Sequence, residues 1–109
     1  MLKTKLSLLL ITLFVAGILI ACEVAPGEFT GTTKYADGRP ASVIVKVFDS
    51  SGKSVAETTS SVDGVWYTGR VIVPGTYTIK CFRGDAEVGS STPQTIEADG
   101  SLAVDVVVQ

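Results

Sequence analysis

From Phe29 onward, apolar and polar positions alternate with period two, and turn residues break the alternation about every 8 to 12 positions, the pattern of short half-buried strands. Phe29, Gly31, Thr33 and Tyr35 share one face of a first strand, which Asp37-Gly38-Arg39-Pro40 ends as a turn. Val43, Val45 and Val47 alternate with Ile44, Lys46 and Phe48 in a second strand, closed by Asp49-Ser50-Ser51-Gly52. Lys53 to Thr59 reads as a third, more polar strand before the turn Asp63-Gly64. Val65 to Val73 is strongly β-prone but is interrupted by Gly69, which predicts a bulge and leaves open whether Trp66 or Tyr67 faces inward.

After the tight turn Pro74-Gly75, Thr76 to Phe82 reads as a strand with Tyr77, Ile79 and Cys81 on one face. Gly84 to Pro93 is rich in loop residues, with a short strand around Ala86 to Val88. Gln94 to Ala98 is a short strand. Asp99-Gly100 then turns into a last one in which Leu102, Val104, Val106 and Val108 share a face. No stretch of this region has helical periodicity. The expectation is an all-β domain over 29–109, a sandwich or barrel.

The first residues follow a different pattern. Lys3 and Lys5 precede a nearly unbroken apolar run from Leu6 to Ile20. As a helix those residues would span about 22 Å, short of the ~30 Å hydrocarbon core of a bilayer. An export signal over 1–21 is therefore expected rather than a permanent span. The run ends in Leu19-Ile20-Ala21-Cys22, which resembles the bacterial lipobox. The resemblance implies cleavage between Ala21 and Cys22, a diacylglyceryl group on the Cys22 thiol, and attachment to the membrane by lipid. The alternatives are an ordinary secreted protein and an uncleaved anchor. Two or three acyl chains hold a protein firmly to a bilayer, where one holds it marginally. In Gram-negative relatives of this motif an aspartate after the cysteine would argue for inner-membrane retention; Glu23 leaves outer-membrane sorting open. Residues 22–28 would then be a lipidated N-terminus with a short tether, its six residues after Cys22 spanning at most roughly 20 Å.

Composition narrows the function. The chain of 109 residues carries a net charge of −2, which becomes −4 once Lys3 and Lys5 are removed, so no basic field remains for nucleic acid. It contains no histidine, the side chain most used as a general base near neutral pH and the commonest metal ligand. No catalytic constellation, metal site or cofactor is implied. With Cys22 lipidated, Cys81 has no partner in the chain.

The order of turns carries a second resemblance. Gly31, Asp37-Gly38-Arg39-Pro40, Val45 and Val47, Asp63-Gly64 with a following aromatic, and above all Val73-Pro74-Gly75-Thr76-Tyr77-Thr78-Ile79 resemble the carboxypeptidase regulatory-like domain. That resemblance spans nearly all of 29–109. It implies a seven-stranded, transthyretin-like Greek-key sandwich used for structural support, adhesion or ligand contact, without catalysis. A related group, the Cna B-type adhesin domains, closes an internal isopeptide bond from an inward lysine. Here Thr33 stands at the matching position with Lys34 pointing outward, and Cys81 stands where the assisting acid would be. Self-crosslinking is not expected. Relatives of transthyretin that hydrolyse 5-hydroxyisourate depend on histidines, which this chain lacks.

The remaining candidates each have a plain alternative. Trp66 or Tyr67 could stack on a sugar ring, but one of them must belong to the core. Arg83-Gly84-Asp85 resembles an integrin-binding loop and is equally ordinary turn chemistry. Asp37, Asp49, Asp63 and Asp99 could supply oxygens to calcium, although their spacing fits turn formation better. Cys81, on the Tyr77 face, reads as a buried small hydrophobe. Ile44, Phe48 and Phe82 fall on outer faces and offer an apolar patch to a partner. The expectation is a lipid-anchored structural or interaction module of the cell envelope, contacting the membrane and an envelope protein or glycan; the alternative is a carbohydrate- or small-ligand-binding lipoprotein.

Overall fold

In a computed structural model, which describes residues 25–109, the chain forms two packed β-sheets, with no helix among the described residues. Ala21 and Cys22 lie outside the described residues. The strands are β1 (Glu28–Tyr35), β2 (Ile44–Asp49), β3 (Ser54–Thr59), β4 (Val65–Tyr67), β5 (Gly75–Arg83), β6 (Ala86–Ser90), β7 (Gln94–Ile96), β8 (Ser101–Ala103) and β9 (Val106–Val108). One sheet has the order β4-β1-β8, with β9 also on β1; the other has the order β3-β2-β5-β6, with β7 also on β5.

β6 and β7 continue each other along β5, and β8 and β9 continue each other along β1. The nine segments are thus seven passes of the chain. Ser91 bridges the β6–β7 break: its N–H donates to the Ile79 carbonyl at 2.8 Å and its Oγ accepts the Ile79 N–H at 3.0 Å. Pro93, which has no N–H to donate, then follows at the gap. β6 extends to Ser90, beyond the short strand expected around Val88, because the hairpin from β5 carries its pairing as far as Lys80↔Ser90.

The alternation places the core as expected. Phe29, Val45, Val47, Ile79, Cys81, Val106 and Val108 are buried between the sheets, and Phe29 meets Tyr77 edge to face at 6.0 Å between ring centroids. Trp66 settles the open register: it is 1% exposed while Tyr67 is 66% exposed. Pairing with β1 decides this, because Gly31 lies opposite Trp66 and leaves room on the inner face for the indole. Gly69, at φ +78°, lies past the end of β4, where the Val71 N–H donates to its carbonyl at 2.9 Å, and Ile72 then returns to pair with Gly27.

Pairing also begins ahead of the alternation. Gly27 exchanges both backbone hydrogen bonds with Ile72, at 2.7 and 3.0 Å, and the Ala25 carbonyl accepts the Asp99 N–H at 3.1 Å. Most of the stretch read as tether is therefore tied to the sheet. A period-two reading misses it because Ala25-Pro26-Gly27 has no side-chain pattern to follow.

Gly31 and Gly89 are among the glycines that let backbones approach where no side chain would fit. A Cβ on Gly31 would lie 1.8 Å from the Val104 carbonyl oxygen, and one on Gly89 would lie 2.8 Å from that of Val107, where β6 meets β9 and the two sheets close on each other. Between β8 and β9 the ladder is completed by a side chain. Asp105 Oδ1 accepts the Thr32 N–H at 3.0 Å and the Thr32 hydroxyl at 2.9 Å.

Gly31→Ala is expected to destabilise the fold by about 3 kcal/mol, since the overlap is with backbone that no rotamer relieves. Gly38→Ala, at φ +91° but facing open space, is expected to cost about 1 kcal/mol. Urea unfolding of the two variants with unchanged m-values checks the order; equal losses would contradict the close approach at Gly31.

Candidate functional site

The outer face of the β4-β1-β8 sheet is concave. Short side chains on β1, Thr30 and Thr32, and Ala103 on β8 form its floor, and Tyr67 and Val65 on edge strand β4 form a wall. The hollow has a volume of about 410 Å³ and is mostly apolar, with Glu28 and Asp105 among its lining carboxylates. Asp105 spends one oxygen on Thr32, while Glu28 Oε1 accepts the Ser101 hydroxyl at 3.2 Å and lies 3.8 Å from Arg70. The hollow offers one exposed phenol ring, hydroxyls and carboxylates. That set can stack on a ring and accept hydrogen bonds from its hydroxyls.

Of the two aromatics predicted as ligand contacts, only Tyr67 presents its ring to solvent. Trp66 is core, and its indole N–H is buried without a hydrogen-bond partner among the described residues. Sequence reasoning could not choose between them, since the interruption at Gly69 hides the register, and it missed Asp105 because a lone carboxylate in a valine-rich strand has no signature. A second, more polar hollow of about 310 Å³ lies around Thr95, Glu97 and Ser101.

Arg83-Gly84-Asp85 forms the tip of the β5–β6 hairpin, with Gly84 at φ +63°. Arg83 is folded back rather than displayed: its guanidinium donates to the Tyr35 hydroxyl at 2.9 Å and to the Gln109 carbonyl at 3.0 Å. Arg39 also stacks on the Tyr35 ring, 4.9 Å from its centroid.

The aspartates sit in turns. Asp49 Oδ1 accepts from the Ser51 hydroxyl, the Ser51 N–H and the Lys53 N–H, bonds that hold its carboxyl below the usual range. Asp37 caps Arg39 in the same way, and the Arg39 N–H and guanidinium lower its pKa. Asp99 adopts φ +55° and pairs with Arg70 at 2.9 Å. Among the described residues no three acidic or thiol groups converge as a metal site.

The outer face of the other sheet carries Ile44, Phe48 and Phe82, half-buried as alternation predicted. Lys46 lies over Phe82 at 5.0 Å and Lys80 over Phe48 at 5.4 Å, and each lysine is 3.5 Å from a carboxylate, Glu57 and Glu87 respectively. The patch is thereby covered by its own cations and leaves less apolar surface than the sequence suggested.

Cys81 is fully buried, and burial pushes its thiol up to about 11. Thiol reagents at pH 8 should leave it unmodified in the folded protein and label it once urea unfolds the chain. Because the folded pKa is raised, the unfolded thiol ionises first, so this residue's contribution to stability should fall as pH rises from about 9 to about 11. A Cys81→Ala variant lacking that fall, followed by unfolding at each pH, checks the assignment; rapid labelling of the native protein would contradict it. Compared with known proteins, the chain matches no protein-family model and no curated sequence.

Proposed function

We propose that this protein is a lipid-anchored module of the bacterial cell envelope, with no catalytic role, that presents a β-sandwich for structural support or protein contact close to the membrane surface. The observation that carries the reading is the run Leu19-Ile20-Ala21-Cys22, placed after a positively charged, apolar segment and three residues before Ala25, whose carbonyl accepts the Asp99 N–H. A diacylated Cys22 so close to the fold would hold the sandwich against the headgroups, in the outer membrane of a Gram-negative cell or on the outer face of the plasma membrane otherwise. The finer fold we assign is the transthyretin-like, Greek-key arrangement of carboxypeptidase regulatory-like domains. Three features support it: seven chain passes, the crossing from β3 to β4 in the opposite sheet and back to β5 beside β2, and the Tyr77 hydroxyl donating to the Val73 carbonyl across Pro74-Gly75.

Metabolic labelling with an alkynyl fatty acid tests the anchor. Wild-type protein should take up label and fractionate with membranes, and Cys22→Ala should lose both. An unlabelled wild type, or a variant that fractionates unchanged, would overturn the reading.

A second reading is favoured by one observation, the hollow walled by the exposed Tyr67 ring. It makes the module a receptor for a saccharide or another small ring-bearing ligand. A glycan array followed by calorimetry should find binding that Tyr67→Ala weakens at least tenfold, about 1.4 kcal/mol, with little loss of fold stability. Trp66→Ala should instead cost about 3–5 kcal/mol of stability. No array signal, or binding indifferent to Tyr67, would remove this reading.

A further inference from the structure

The end of the sandwich from which the chain leads back to Cys22 carries two exposed valines with no partner. Gly27 pairs antiparallel with Ile72, so Val73 lies level with Pro26 and Val71 with Glu28. Ile72 is 1% exposed, while Val71 and Val73 on either side are 62% and 64% exposed. Their direction is built in: Ile72 enters the core, both its backbone groups are held by Gly27, and the Val73 carbonyl accepts the Tyr77 hydroxyl. Alternation about a fixed Ile72 turns both valines outward on a segment that cannot swing them back.

We infer that Val71 and Val73 are a second membrane contact, entering the lipid interface beside the acylated Cys22. The inference rests on the lipid-anchor reading and deepens it. The argument is one of reach. Cys22 and Ala25 are three residues apart, at most roughly 11 Å when extended. Ala25 is itself fastened to Asp99, so the lipid chains must enter the bilayer within that distance of this end of the sheet. Whatever surrounds Pro26 then lies at headgroup depth, where two valine side chains exchange water for hydrocarbon and are stabilised.

Charge says what kind of surface this is. Arg70 is the cation beside the valines, and it is engaged by Asp99 at 2.9 Å and Glu28 at 3.8 Å, with Glu97 exposed nearby. Among the described residues, the cation at the valines is thus already engaged by carboxylates. The contact made by the valines themselves is therefore apolar.

The test uses chain 22–109 coupled through its Cys22 thiol to a maleimide phospholipid in phosphatidylcholine nanodiscs; buried Cys81 does not compete. Backbone amide signals are then read with and without a spin-labelled lipid. Val71 and Val73 should be attenuated at least about threefold more than Val62 and Val107 near the far end of β1, where Val107 pairs with Lys34 and Val62 lies in the turn whose Gly64 carbonyl accepts the Thr33 N–H. The excess should disappear in V71S/V73S, whose substitutions touch no core position. Equal attenuation at all four sites, an excess that survives in V71S/V73S, or protection of the valines by a second copy without attenuation would each overturn the inference. Because the anchor is supplied chemically, an unmodified Cys22 in mass spectra of the native protein would sink the lipidation reading separately.

Discussion

The crossing of the chain between the two sheets depends on a small knot of buried hydroxyls. Among the described residues, Thr33 and Ser60 are the buried polar side chains, at 1% and 2% exposure. Thr33 Oγ1 donates to the Ala41 carbonyl at 2.6 Å. Ser60 Oγ donates to the same carbonyl at 2.9 Å and accepts the Val43 N–H at 2.8 Å. Where β1 leads to β2 and β3 leads to β4, the backbone leaves its ladders inside the core, and each abandoned N–H or C=O would otherwise cost about 1–3 kcal/mol. The two hydroxyls, with Thr33 N–H to Gly64 O at 2.7 Å, supply the missing partners. The threonine at this inward position of β1 thus joins strands by hydrogen bonds.

From that crossing the outer surface follows. With Thr33 fixed, β1 runs between β4 on one side and β8 and β9 on the other, and the missing Gly31 side chain admits both the Val104 carbonyl and the Trp66 indole. Bringing Trp66 inward turns Tyr67 outward, since neighbours on a strand face opposite ways. The hollow beneath Tyr67 is thus a by-product of core packing: one ring is buried, its neighbour is displayed, and the central strand offers only threonines between them. The same logic acts at the other end of that edge, where burying Ile72 exposes Val71 and Val73.

These two exposed features lie on one sheet edge and serve different chemistry. The Tyr67 hollow has oxygen acceptors around an aromatic face, which suits a hydroxylated ring. Beside the valine pair, Arg70 is engaged by Asp99 and Glu28, which suits hydrocarbon. The opposite sheet has covered its own aromatics with Lys46 and Lys80, leaving the β4 edge as the more reactive face of the domain.

The sequence by itself determined the class of fold and the core, because period-two alternation and turn residues are local patterns whose physics needs no partner strand. Phe29, Val45, Val47, Ile79 and Val106 faced inward as their alternation required. Only tertiary structure decided the register across Gly69, the pairing that reaches back to Ala25, the restraint of Arg83 by Tyr35, and the place of Asp105 in the ladder. Each of these depends on which strand lies alongside, and a glycine interruption or a patternless Ala-Pro-Gly segment carries no trace of its neighbour. The candidate site was legible to the extent that an aromatic pair was marked; choosing Tyr67 over Trp66 required knowing that a glycine stood opposite.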